Sequence, residues 1–288
     1  MEYAVVVPVA VGKSADPAWI DGFARHVEAC GFESVVVVEH TVVVADYRSA
    51  YPYAPSGRMG VADDCPVPDP LDLLAFLAAR TTTLGLATGV LVLPNHHPVG
   101  LAKRVATVDA LSGGRVRLCV GMGWMREEVE ACGVAFGTRG RRADEQIDVL
   151  RALWADGPAT HEGEFFRFAD ALSHPKPAHR VPIHVGGHST AAARRAGRRG
   201  DGLQPLGATG DEVRRLVAVM REEAGRAGRD PDALELSLGH HAARIDLDKA
   251  AKLAALGATR VVLSTSDSAD LLLLQDELSA CAERLGLR

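Results

Sequence analysis

The sequence predicts an α/β fold, a (β/α)8 barrel formed by residues 1–288 as one domain, and three observations lead there. The length, 288 residues, exceeds a usual single domain but falls where one α/β barrel closes on itself. Short, mostly apolar and often β-branched runs alternate with segments of helical period, and the alternation repeats eight times, which is the pattern of parallel strands buried on both faces. Residues 109–124 show one whole unit. A helix ends near Leu111, its last apolar contact, Gly113-Gly114 supplies a left-handed exit, the strand Arg115–Val120 follows at once, and Gly121-Met122-Gly123 closes it in a loop.

The other units follow in order. Residues 1–9 form the first strand, and Asp16-Pro17 opens a helix that buries Trp19, Ile20, Phe23, Val27 and Cys30 before Gly31 stops it. The second strand, Glu33–Val38, ends in Glu39-His40. Residues 41–68 have no helical period and carry Tyr47, Tyr51, Tyr53 and several prolines, so they read as a binding or lid loop, with packing on the barrel rim as the plainer alternative. Asp69-Pro70 opens the next helix. The third strand, Leu84–Leu93, is interrupted at Thr88-Gly89 and leads through Asn95-His96-His97-Pro98 into the helix that ends near Leu111. After Trp124 come a short helix to Cys132 and a longer one from Arg141 to Trp154. Residues 160–168 alternate around a turn and predict a small β-hairpin insertion. The remaining strands are 182–185, 202–206, 234–238 and 259–264, with helices to 200, 211–228, 248–256 and 269–285.

Composition narrows the function. The net charge is −5 and the basic residues are spread along helices opposite acidic ones, so no nucleic-acid footprint stands out. No apolar run approaches the ~20 residues that span a bilayer, and Met1–Val7 lacks a basic leader region, so a cytoplasmic address without membrane contact is expected. Five scattered cysteines with no C-x-x-C spacing read as reduced packing residues. The His96-His97 and His240-His241 pairs have no acidic or cysteine partners at ligand spacing, and no metal is expected. The partner left is a small molecule.

Barrel chemistry belongs at strand C-termini, and several residues there can carry it. His40 can exchange a proton near neutral pH, or be a structural imidazole. Gly89 predicts a bulge or a close backbone approach. Gly186-Gly187 ahead of Ser189, at a helix start, offer amides and a hydroxyl to an anion. Gly121 and Gly123 give room for a ligand or a plain turn, Trp124 reads as core or as ligand contact, and Asn95 offers a polar contact. Glu127-Glu128 reads as a solvated helix face.

Set in order, Gly31-Phe32-Glu33-Ser34 leading to His40, Thr88–Pro94, Leu101-Ala102-Lys103, Leu111–Arg115, Gly121–Trp124 and Val185-Gly186-Gly187 resemble the luciferase-like monooxygenase superfamily over nearly the whole chain, and within it the coenzyme F420-dependent oxidoreductases. The resemblance implies a deazaflavin or flavin ring across the strand ends, with His40 as the catalytic histidine and Glu39 where the family commonly has Asp. It also implies a non-prolyl cis peptide at Gly89-Val90 behind the ring, flanked by Thr88. Glu39, Thr88, Gly89, Val90, Asn95, Gly121, Gly123, Trp124, Gly186, Gly187 and Ser189 then become cofactor contacts, and Tyr47, Tyr51 and Tyr53 a substrate lid. The implied reaction is hydride transfer between coenzyme F420 and a small organic substrate. The alternatives are a reduced-FMN and oxygen monooxygenase, which needs a flavin reductase as partner, and a flavin-binding barrel without turnover. A homodimer is expected by the same analogy.

Overall fold

The computed structural model describes residues 1–287. Its elements are β1 (Glu2–Val6), α1 (Pro17–Ala29), β2 (Ser34–Val37), α2 (Pro70–Arg80), β3 (Gly85–Thr88), β4 (Leu91–Val92), α3 (Pro98–Ser112), β5 (Val116–Gly121), α4 (Arg126–Ala131) and α5 (Arg139–Trp154). There follow β6 (Ala159–Glu162), β7 (Arg167–Ala171), β8 (Ile183–Gly186), α6 (Thr190–Arg199), β9 (Gly202–Gln204), α7 (Gly210–Arg226), β10 (Glu235–His241), α8 (Leu247–Ala255), β11 (Arg260–Ser264) and α9 (Leu271–Leu285). The parallel strands run in the order β3-β2-β1-β11-β10-β9-β8-β5-β4, and a β3–β5 pairing closes the ring. β3 and β4 are the two halves of one interrupted strand, so the nine strands make eight staves. The expected hairpin is present as the antiparallel pair β6–β7.

Helix starts form where the sequence places caps. Asp16 accepts the amides of Ala18 and Trp19, and Asp69 those of Leu71 and Asp72, each with proline at the first helical position. Gly113, at φ +74°, ends α3. One expectation fails there: Leu111 is 77% exposed. The buried stripe of α3 runs through Leu101, Val105, Val108 and Ser112, and Leu111 lies about 100° around the helix from that stripe.

Strand residues alternate between the helical layer and the barrel interior. Val5, Val35, Val37, Leu86, Leu118, Val120, Ile183, Val261 and Leu263 face outward into one large core with α1, α2, α3, α5 and α9. Val185, Leu203, Leu236 and Leu238 pack with α6 and α7 in a second core. Ala4, Val36, Ala87 and Val262, with Val6 above them, form a separate small cluster inside the barrel. No helix among the described residues is long and apolar enough to cross a membrane.

The bottom of the interior is charged. Arg117 donates to Glu33 at 2.7 Å, Arg260 bridges Glu33 at 3.2 Å and Glu235 at 2.7 Å, and the Ser34 hydroxyl donates to Glu33 at 2.6 Å. Burial alone would raise the Glu33 pKa, but Arg117 and Arg260 outweigh it and hold the carboxyl at about 2. Above them His184 is 1% exposed, and burial, aided by Arg117, drives its pKa down to about 4. It is therefore a neutral imidazole inside the barrel.

Because the folded pKa of Glu33 lies below its ordinary value of 4.5, its stabilisation is present above pH 4.5 and fades as the pH falls through 4.5 toward 2. Glu33→Gln should remove about 3 kcal/mol of unfolding free energy at pH 7 and flatten the acid limb in that window. Urea melts from pH 2 to 7 check this, and an unchanged acid limb would refute it.

Candidate active site

The site is organised by the break in the third stave. Ala87 stands opposite Arg117 and Leu91 opposite Val120, so four steps along one strand match three on β5, a bulge of one residue. Thr88 closes the gap with its side chain, donating to the Cys119 carbonyl at 2.7 Å and accepting the Cys119 amide at 2.9 Å. Gly89 donates its amide to Val37, and a Cβ there would lie 2.3 Å from a Val36 methyl. The extra residue turns Val90 into the barrel mouth. The Gly89–Val90 peptide is cis, where the resemblance places it.

Val90 explains two further glycines. A Cβ on Gly121 or on Gly186 would sit 2.4 Å from one of the two Val90 methyls. These glycines make room for a valine as well as bordering the mouth, a packing reason that spacing along the chain does not reveal. Gly123 and Gly187 adopt φ +76° and +117°, conformations that L side chains resist. The expected free amide of Gly187 is already donated to the Gln204 carbonyl at 3.0 Å. Ser189 caps α6 by accepting the Ala192 amide at 3.1 Å. Its hydroxyl proton remains available to a ligand.

Glu39 and His40 leave the end of β2 in different directions. The Glu39 carboxylate accepts the Val92 amide at 2.5 Å and meets His96 Nε2 at 2.7 Å, which ties β2 to β4. The His40 ring instead meets Glu128, its Nδ1 lying 3.0 Å from Oε2. The other Glu128 oxygen accepts the Thr41 amide at 2.6 Å. Glu128 is 1% exposed, so the reading of Glu127-Glu128 as a solvated face fails. Glu127 also has a task, accepting the amides of Arg48 and Ser49 and the Ser49 hydroxyl, which pulls its pKa down to about 2. Both partners lie far away in sequence, and α4 is too short for an apolar stripe to identify its inner face.

An aromatic arc crosses the mouth. Trp124 meets His40 edge-on at 6.0 Å, Tyr47 at 5.2 Å and Tyr51 at 5.1 Å, and Tyr53 continues the arc from Tyr51 at 5.3 Å to His188 at 5.5 Å. Tyr47 is the anchored member, 6% exposed, its hydroxyl accepting the Met59 amide while the Arg58 guanidinium lies over its ring. Burial raises the pKa of Tyr51 and Tyr53, so both stay neutral. Beside the arc, Tyr53, Pro55, His188, Leu206 and Glu212 line a hollow of about 610 Å³. On the other side of His40, Asn95 borders a pocket of about 290 Å³, donating to Thr41 Oγ1 while its buried Oδ1 has no partner among the described residues. Among the described residues no three His, Cys, Asp or Glu side chains converge on a metal position.

A family model of luciferase-like monooxygenases matches residues 1–280. The chain belongs to that family. It is accordingly an oxidoreductase, and its relatives agree. An uncharacterised protein of Mycobacterium tuberculosis is 33% identical over 271 residues, 92% of each chain. An F420-dependent glucose-6-phosphate dehydrogenase of Segniliparus rotundus is 29% identical over 80% of this chain and 67% of its own. Among solved structures, an F420-dependent secondary alcohol dehydrogenase bound to an F420-acetone adduct superposes with a TM-score of 0.79 at 19% identity, covering 99% of this chain and 98% of that one. An FMN-bound type II Baeyer–Villiger monooxygenase, the oxygenating part of 3,6-diketocamphane monooxygenase of Pseudomonas putida, gives 0.67 at 21% identity over 90% and 71%. These two structural likenesses establish a shared luciferase-like barrel.

The contact of Val90 with Gly186 carries its own prediction. Gly186→Ala should destabilise the protein by about 1–3 kcal/mol through overpacking, and Val90→Ala in the same chain should recover part of that loss. A double-mutant cycle by denaturant melts measures the coupling. Strictly additive effects would show that the methyl of Val90 does not require the glycine.

Proposed function

We propose that this chain is a coenzyme F420-dependent oxidoreductase that moves a hydride between the cofactor and a small organic substrate. The observation that carries the reading is His40, held by a buried carboxylate at the barrel mouth, next to a floor made by Gly89 and Val90 and under an aromatic arc. The choice of deazaflavin is supported by the relative from Segniliparus rotundus and by the alcohol dehydrogenase structure, both of which are F420-dependent.

The residues present fit such a group. Gly89 and Val90 leave a shallow floor for a flat ring, and the arc from Trp124 to Tyr53 supplies an aromatic wall. Among the described residues the buried atoms Asn95 Oδ1 and His188 Nδ1 lack partners, and they are available to a polar ring edge or side arm. For an anionic tail, the start of α5 meets the middle of α6, where Arg195 donates to the Gly140 carbonyl. Arg139 stacks 3.6 Å over Phe136 and pairs with no carboxylate among the described residues. Burial, with Arg126 and Arg195 nearby, lowers its pKa, so an anion bound there would relieve crowded positive charge.

Bound coenzyme F420 supplies a two-electron hydride donor or acceptor at carbon 5 of its ring. The protein orients the reactants on the Gly89–Val90 floor, excludes water with the tyrosines of the lid, and exchanges the accompanying proton at His40. The second reading, reduced FMN with oxygen, is supported by the FMN-bound neighbour of the same fold, and it needs a flavin reductase. The proposal includes a homodimer, for which Leu272 and Leu273 on α9, 69% and 58% exposed, offer apolar surface to a second copy.

Fluorescence titration of the purified protein with coenzyme F420 and with FMN tests the cofactor. Saturable F420 binding supports the proposal, whereas tight FMN binding with no response to the deazaflavin would replace it with the second reading. His40→Ala should leave cofactor affinity within a few-fold and reduce turnover by about 10² to 10⁴. Unchanged turnover would remove His40 from the chemistry.

A further inference from the structure

We infer that Glu128 is a positioning residue that decides which ring nitrogen of His40 carries the proton, and so keeps Nε2 as the nitrogen that exchanges protons with the reactants. This inference rests on the proposed role of His40, but it concerns an arrangement that exists in the protein alone.

The Thr41 amide can only donate, and it points at Glu128 Oε1 from 2.6 Å. That bond sets the plane of the carboxylate. The second oxygen, Oε2, then lies 3.0 Å from His40 Nδ1, inside a site where Glu128 is 1% exposed and the imidazole 13%. A carboxylate accepts only, so Nδ1 must carry the hydrogen and donate it. In the neutral ring the lone pair is left on Nε2, which makes no hydrogen bond among the described residues.

No neighbouring group competes for that task. On its own strand Glu39 turns to Val92 and His96. From the loop after β5, Trp124 presents only a ring. The Cys132 thiol, beside Thr41 at the end of α4, is pushed up by burial and by the nearby carboxylates of Glu128 and Glu39, so it stays protonated. Across the smaller pocket Asp69 and Arg104 pair with each other at 2.8 Å. Among the described residues, Glu128 alone holds a carboxylate within bonding distance of His40.

The same geometry predicts the consequence of a near-isosteric change. In Glu128→Gln the Thr41 amide still needs an acceptor, so the amide oxygen takes the place of Oε1. The new NH2 group then stands at the place of Oε2 and donates to Nδ1. This reverses the hydrogen bond and moves the imidazole hydrogen to Nε2. The ring keeps its place in the wrong tautomer, a change known to cost up to about 10⁴ in turnover where a carboxylate orients a catalytic histidine.

The experiment is ¹⁵N NMR of histidine-labelled, cofactor-free protein. In the native chain the neutral His40 ring should show its N–H at Nδ1, and in Glu128→Gln at Nε2, with near-native melting temperature. With the cofactor that binds, Glu128→Gln should lower kcat by about 10² to 10⁴ while KM changes by less than about ten-fold. Native protein with N–H at Nε2 would overturn the inference without any variant. An unchanged tautomer and unchanged kcat in Glu128→Gln would also overturn it. If the native chain turns over neither cofactor, the proposed function falls, while the tautomer still decides the role of Glu128.

Discussion

The one extra residue in the third stave is the constraint on which the mouth of this barrel depends. A regular strand would alternate Thr88, Gly89 and Val90 outward, inward and outward. The bulge instead sends both Gly89 and Val90 inward. Thr88 repairs the broken ladder with its hydroxyl, and Val90 requires side-chain-free positions at Gly121 and Gly186. Beyond the bulge the resumed strand offers the Val92 amide, which Glu39 accepts. With Glu39 held against β4, the next residue, His40, is free to turn to α4. The floor, the flanking glycines and the direction of the histidine therefore follow from one insertion.

Charge divides the barrel into a paired network at the bottom and carboxylate–imidazole pairs at the mouth. At the bottom, Glu33, Arg117, Arg260 and Glu235 neutralise one another across three staves and the approach to β2, and their mutual hydrogen bonds repay much of the cost of burial. Small side chains fill the layer above. At the top, carboxylate and imidazole meet as Glu128 with His40 and Glu39 with His96. Each pair engages one ring nitrogen, Nδ1 of His40 and Nε2 of His96. Aligned with the strands, this gradient puts an ionic plug below and carboxylate–imidazole pairs above, at the end where barrel architecture favours a site.

What could be read from the sequence was local. Eight buried runs, the Asp-Pro helix starts, the glycine turns and the break at Gly89 each act within a few residues, and each appears in place. His40 was visible because it ends a strand. Glu128 was not, because its partner is 88 positions away and two acidic residues on a six-residue helix look solvated. The work of Gly121 and Gly186 was hidden for the same reason, since it depends on where Val90 lands after the bulge. Leu111 failed more simply. Being the last apolar residue before a turn says nothing about the face it occupies, and the stripe of α3 passes through Ser112 instead.

The position of Glu128 also bears on the long loop after β2. α4 has no side-chain cap of its own at Met125; the Arg126 amide is accepted by Ser49 from the long loop. Glu127 accepts the amides of Arg48 and Ser49, and Glu128 accepts that of Thr41. One short helix thus fastens the loop at its start and again seven residues later, and the loop in return completes the end of the helix. Tyr47, between those fastenings, packs on Trp124, which lies against His40. A loop held this way can order its tyrosines only when α4 is in place, and α4 in place sets the histidine. The order of the loop's tyrosines and the orientation of His40 are consequently properties of the same few hydrogen bonds.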